Sequence, residues 1–117
     1  MTELRSEILQ GTLDLMVLQT LAIMGPMHGY GIARRIEQIS ENALSVNQGT
    51  IYLCLIRLVQ KKWIKASWGT SENNRKAKFY AISKAGQKQL KAETEDWERI
   101  SGAIGRFLQL TGDEGAK

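Results

Sequence analysis

The sequence predicts a mainly α fold with one two-stranded β-hairpin, and three observations carry that reading. Apolar residues recur at helical spacing up to Trp63, the period then drops from 3.6 to 2, and a seven-residue apolar repeat sets in after Ser83. At 117 residues, 43% hydrophobic and 24% charged, the chain has the composition of one ordinary globular domain, small enough for a second copy to add to its stability.

Met1 to Gln10 is read as a short amphipathic helix or arm with Leu4, Ile8 and Leu9 on one face. A segment that short cannot hold a helix alone in water, so it must dock on something else. Thr12 has the character of an N-cap, with Asp14 in the first turn suiting the positive end of the helix dipole. The helix Leu13 to Ile23 is apolar almost all round, which predicts a central core helix with one face available to another subunit. Gly25 and Pro26 stop it, in a turn that holds the only proline and only histidine of the chain. His28 lacks any sequence-apparent Ser, Cys or carboxylate partner, and a cap or a solvated turn residue is its expected role.

A second helix is expected from Tyr30 to Ser40, with Ile32, Ile36 and Ile39 inward and Arg34, Arg35, Glu37 and Gln38 outward. Tyr30, in its first turn, is read either as a phosphate-holding hydroxyl or as a packing aromatic. Asn47 then caps a third helix, Gln48 to Lys62. Ile51, Leu55, Leu58 and Val59 form its buried stripe; Gly49, Thr50, Leu53, Arg57, Gln60 and Lys61 lie half a turn away on a face without a carboxylate. Such a face is either solvated or turned to a polyanion.

In the hairpin, Ile64, Ala66 and Trp68 alternate with Lys65, Ser67 and Gly69. In its second strand either Ala77, Phe79 and Ala81 or Lys78, Tyr80 and Ile82 supply the matching face, and the polar loop Gly69 to Lys76 joins the two. A hairpin on the C-terminal end of a helix-turn-helix is a winged helix. Its wing carries Asn73 and Asn74 with Arg75, Lys76 and Lys78 grouped on one side of the tip, as expected for contacts to a DNA backbone or minor groove.

Ser83 caps a last helix from Lys84 to about Leu110, where Leu90, Trp97 and Ile104 repeat every seven residues, flanked by Ile100, Phe107 and Leu108. At about 1.5 Å per residue it would run roughly 40 Å and project beyond a compact domain, so its stripe needs the same helix of a second subunit. Gly102 and Gly105 leave three possibilities there: a kink, an early end, or a close approach. The expected division is a winged helix-turn-helix DNA-binding domain over 1–83, a C-terminal dimerisation helix over 84–110 and a disordered tail over 111–117.

Charge is unevenly placed. Residues 1–46 hold three basic and five acidic side chains, residues 47–91 ten and one, residues 92–117 three and six, giving −2, +9 and −3. A basic block between acidic ends fits a surface facing nucleic acid. The single Cys54 forms no internal disulfide, and the sequence has neither a secretory signal pattern nor an apolar run of the roughly 18 residues that would span a bilayer. A cytoplasmic setting is expected, without membrane, metal or cofactor. One histidine, one cysteine, no paired motif of catalytic residues and no phosphate-cradling glycine loop leave enzymatic activity little support. The remaining rival is a winged helix that meets an acidic protein instead of an operator.

The runs GTLDLMVL, GPMHGYGIARRIEQIS, VNQGTIYLCLIRLVQKKWI and WGTSENNRKAKFYAISKAG resemble the PadR family of bacterial transcriptional regulators over about residues 8–97, in its short form with a single C-terminal helix. The resemblance implies a winged helix-turn-helix, a homodimer built by the C-terminal helix with help from the N-terminal one, and repression through a double-stranded, palindromic operator. It places base reading on Gln48, Gly49, Thr50, Tyr52 and Arg57 and the wing contacts on Asn73, Asn74, Arg75, Lys76 and Lys78; Tyr30 and Lys61 complete the expected DNA-binding set. The dimer interface would hold Leu4, Ile8, Leu90, Trp97, Ile100, Ile104, Phe107 and Leu108. Some members bind small aromatic molecules in or beside that interface, which points to Trp97 either as an effector contact or as interface filling. Two positions leave the family's pattern: Leu53, where proline is common, and Cys54, where a small residue is. Leu53 would contact a thymine methyl, lower affinity or alter sequence preference. Cys54 is read as a small, partly buried filler, with a redox-sensing thiol as the alternative.

Overall fold

A computed structural model describes the backbone of residues 2–112 and the side chains of residues 11–112. The elements are α1 (Thr2–Met24), β1 (Met27–His28), α2 (Gly29–Ile39), α3 (Gln48–Gln60), β2 (Ile64–Thr70), β3 (Lys76–Ile82) and α4 (Lys84–Leu108). Leu13, Val17, Leu18 and Leu21 of α1 meet Ile32, Ala33 and Ile36 of α2, Ile51, Cys54, Leu55 and Leu58 of α3, and Ile64 and Tyr80 of the sheet in one core.

α1 corrects the expectation of an arm followed by a separately capped helix. It is continuous, so Thr12 and Asp14 lie in its interior and neither serves its N-terminus. The only weak point in the sequence there is Gly11, and the roughly 1 kcal/mol that an interior glycine costs does not break a helix anchored by four core residues. Nor is it buried all round: Ala22, Ile23 and Met24 are exposed. Gly25 ends it with φ 81°.

His28 caps α2 as expected, its Nδ1 accepting from the Gly31 amide at 3.0 Å. It also belongs to β1, a two-residue strand too short to show any period in the sequence. β1 pairs antiparallel with β3 through Met27–Tyr80 and His28–Phe79, so the predicted two-stranded wing is the outer part of a three-stranded sheet of order β1-β3-β2. Ile32 and Ile36 of α2 are buried, but Ile39, expected inward, is 66% exposed, because the last turn of α2 forms a wall of an open hollow.

At α3, Asn47 Oδ1 accepts from the Thr50 amide at 2.7 Å, and Ile51, Leu55 and Leu58 are buried as the stripe requires. The helix ends at Gln60, short of the expected Lys62. The Lys62 amide bonds to the Val59 carbonyl and the Trp63 amide to the Leu58 carbonyl while Lys62 takes φ 65°, a Schellman closure with lysine where glycine is usual. That closure turns the chain into β2. In the hairpin register Ile64 faces Ile82, Ala66 faces Tyr80 and Trp68 faces Lys78, so of the two alternatives it is the Lys78, Tyr80 and Ile82 face that packs on the core.

Ser83 caps α4, its Oγ accepting from the Gly86 amide at 3.0 Å and donating to the Lys62 carbonyl at 2.7 Å. A Cβ on Gly86 would fall 2.0 Å from the Trp63 carbonyl oxygen, so only glycine lets α4 start this close to the end of α3. α4 then continues without a break through Gly102 and Gly105. The chain measures 63 × 28 × 23 Å with a radius of gyration of 17.1 Å; a compact chain of this length would have about 13 Å. No helix is long and apolar enough to cross a membrane among the described residues.

Candidate nucleic-acid interface

The buried stripe of α3 fixes which residues it shows to solvent. Gln48, Gly49, Thr50, Tyr52, Leu53, Gln60 and Lys61 are exposed, and no carboxylate stands among them. Lys61 leans back over Trp63, its Nζ 4.8 Å from the ring centroid. Arg57 departs from the expected outward face. Its Nη2 donates to Asp14 Oδ1 at 2.6 Å, tying the middle of α3 to α1.

Cys54 Sγ donates to the same carboxylate oxygen at 3.0 Å. The thiol is fully buried, more than a partly buried filler would be. Its pKa is pushed far above the usual thiol range, first by desolvation and then by the hydrogen bond to Asp14 and the charge of that carboxylate, against weaker lowering by Arg57 and Lys61. It therefore stays protonated and acts as a structural donor, which argues against a redox-sensing thiolate.

The wing loop closes through the Ser71 amide on the Arg75 carbonyl at 2.8 Å and the Asn74 amide on the Ser71 carbonyl at 2.9 Å, with Asn74 at φ 59°. Asn73, Asn74, Arg75, Lys76 and Lys78 are all exposed. Lys76 and Lys78 share a face with Trp68, their Nζ atoms 5.3 and 5.9 Å from its ring centroid. Trp68 is 64% exposed, a large aromatic among the wing cations that the sequence places on the core-facing side of its strand. It is on that side, but the core ends at Ala66 and Tyr80; the signal was the lysine at the opposing position, 78. Tyr30 stands exposed in the first turn of α2, with His28 stacked at 6.4 Å on its ring and Arg34 Cζ 6.0 Å from its centroid.

Residues 17–92 match the family described as "Transcriptional regulator PadR-like family". The chain belongs to this PadR-like family. It is similar to a transcriptional regulator from Clostridium thermocellum, with 27% identity and a TM-score of 0.79 over 88% of this chain and 99% of that one. A PadR-like transcriptional regulator from Bacillus cereus shares 25% identity with a TM-score of 0.77 over 90% and 99% of the two chains. An uncharacterised protein of Lysinibacillus sphaericus is 29% identical over 105 residues, 90% of this chain and 95% of that protein. The PadR-like family is one of transcriptional regulators and not of enzymes, and membership implies regulation through DNA binding.

In this PadR-like chain the residues expected at a dimer interface divide. Leu90 packs against the chain's own core. Trp97, Ile100, Ile104, Phe107 and Leu108 are exposed. Leu4 and Ile8 fall outside the described side chains, and residues 113–117 of the expected tail outside the described chain. A hollow of about 370 Å³ opens between α1, α2 and α4, lined by Leu15, Met16, Gln19, Ile36, Ile39 and Thr94; Trp97 stands one helical turn beyond Thr94 and is not part of its wall.

Proposed function

We propose that the chain is a homodimeric, sequence-specific repressor acting in the cytoplasm, which lays α3 in the major groove of a palindromic operator and sets its wing on the flanking phosphates. The observation that supports this most is the exposed, carboxylate-free face of α3, capped by Asn47 at its N-terminal end and accompanied by the exposed cations of the wing, in a PadR-like chain. Gln48, Thr50 and Tyr52 are the polar side chains placed to meet base edges. Arg75, Lys76 and Lys78 supply sequence-independent attraction, and Asn73 and Asn74 hydrogen bonds to the backbone. Tyr30, at the start of α2, sits where a phosphate would meet the first helix of the pair.

The second subunit is supported by the stripe from Trp97 to Leu108, an apolar surface that extends beyond the chain's own core. Paired through α4, two copies would present their α3 helices to half-sites about one helical turn apart. A small aromatic effector beside Trp97 would change that pairing and release the operator. A mobility shift on the promoter fragment of the protein's own gene, run at two salt concentrations, tests the proposal. A retarded complex that weakens with salt is expected; no shift of that fragment or of any duplex, with retention on an acidic polypeptide, would contradict it.

A further inference from the structure

We infer that Leu53 is a specificity-determining residue that reads the C5-methyl group of thymine. The inference rests on α3 entering a major groove and adds what it meets there. Leu53 is 61% exposed, in the second turn of α3 on the side away from the buried stripe. Gly49, one turn earlier on the same line, brings no side chain, and even a Cβ there would meet only the Asn47 side chain, at 3.4 Å. Arg57, one turn later, would cover the isobutyl group with its own stem, but its guanidinium is drawn away to Asp14. Along this one line of the outward face, bare backbone at Gly49 is therefore followed by a projecting aliphatic group, with Gln48, Thr50 and Tyr52 exposed beside it. Ile56 is also exposed, but less so and a turn further from the helix N-terminus, the part that meets base edges in a helix-turn-helix.

The chemistry of the occupant follows from what surrounds that group. Residues 47–91 hold ten basic side chains against one acidic, which suits a polyanion and disfavours an apolar protein surface. A duplex offers an aliphatic group only one apolar feature in its major groove, the thymine methyl; every other base edge there presents donors or acceptors. Set against guanine, cytosine or adenine, the leucine would desolvate those groups without pairing them, so the same side chain favours thymine and penalises the alternatives.

Replacing thymine by deoxyuridine removes that methyl and leaves every hydrogen-bonding group in place. A duplex selected by the wild-type chain from a random pool is the probe, with thymines replaced one position at a time. Wild type should lose about fourfold in affinity at one thymine in each half-site, equivalent to about 0.8 kcal/mol for one buried methyl-sized group. Leu53→Ala should bind the parent duplex more weakly and ignore that replacement, while Leu53→Met keeps the discrimination; thermal melting checks that both variants are folded. Equal wild-type affinity for every uracil-containing duplex, or full discrimination by Leu53→Ala, would overturn the assignment while leaving the DNA reading standing. A wild-type chain that selects no duplex at all would overturn both.

Discussion

The guanidinium of Arg57 and the carboxylate of Asp14, 43 positions apart, meet at 2.6 Å and join the proposed reading helix to the core helix α1. Cys54 donates to the same oxygen, so one carboxylate holds two consecutive turns of α3. Leu15 and Met16, the next residues of α1, line the hollow between α1, α2 and α4, which places the anchor of α3 beside it.

Asp14→Ala would leave a half-buried guanidinium and a buried thiol without their acceptor. The expected loss is about 3 kcal/mol, as for breaking one side of a largely buried pair. Arg57→Ala should cost a similar amount, and the double variant less than the two together. Urea denaturation of the four proteins measures this; additive losses would mean that the pair contributes nothing as a unit.

The Cys54 thiol should resist alkylation at pH 8 in the folded chain and react once urea unfolds it, because burial and Asp14 keep it protonated. The same shift sets a sign for stability against pH. The folded thiol titrates above its ordinary 9.0, so above that pH the unfolded chain releases a proton that the folded chain keeps. Stability due to this group is full below about pH 9 and falls above it, by up to about 1.4 kcal/mol per pH unit. Cys54→Ala should remove that slope between pH 9 and 10, read from denaturation midpoints.

Changing Arg75 and Lys76 to alanine should weaken binding to all duplexes alike and flatten the dependence of log K on log salt by about two units, one for each lost phosphate contact. Equal salt slopes for wild type and the double variant would remove the wing from the phosphate backbone.

Placing glutamate at Ile104 and Phe107 should convert a dimer to a folded monomer in sedimentation velocity, since both side chains are exposed in the single chain and contribute nothing to its core. Operator affinity should fall with it, because each half-site then binds without its partner. A variant that sediments as wild type would take the dimer contact away from this end of α4.

Much of the fold was legible because it rests on local chemistry. Asn47 and Ser83 cap the helices they were expected to cap, and the change of period at Trp63 marks the start of the sheet. What the sequence concealed depends on partners far along the chain. A helical wheel gives the angle of Arg57 but not the carboxylate that draws it inward, and Asp14 looked like a first-turn acid because Thr12 looked like a cap. β1 is too short to have a period, and Lys62 takes a left-handed conformation with no glycine to announce it. On the candidate surface the exposed polar residues of α3 and the wing cations stand where the pattern put them, whereas Trp68 lies past the end of the core, which no alternation of residues can reveal.

A reading helix in the major groove must discriminate between DNA sequences. Fluorescence anisotropy with a selected duplex and a scrambled one of the same composition, at about 150 mM salt, measures this as a ratio of Kd values for wild type, Gln48→Ala and Thr50→Ala. Wild type should prefer the selected duplex by at least about a thousandfold, and each variant should lose roughly 1 to 3 kcal/mol of that preference while binding the scrambled duplex as wild type does. Equal wild-type affinity for the two duplexes, or a preference untouched by both substitutions, would contradict the claim that this helix reads DNA.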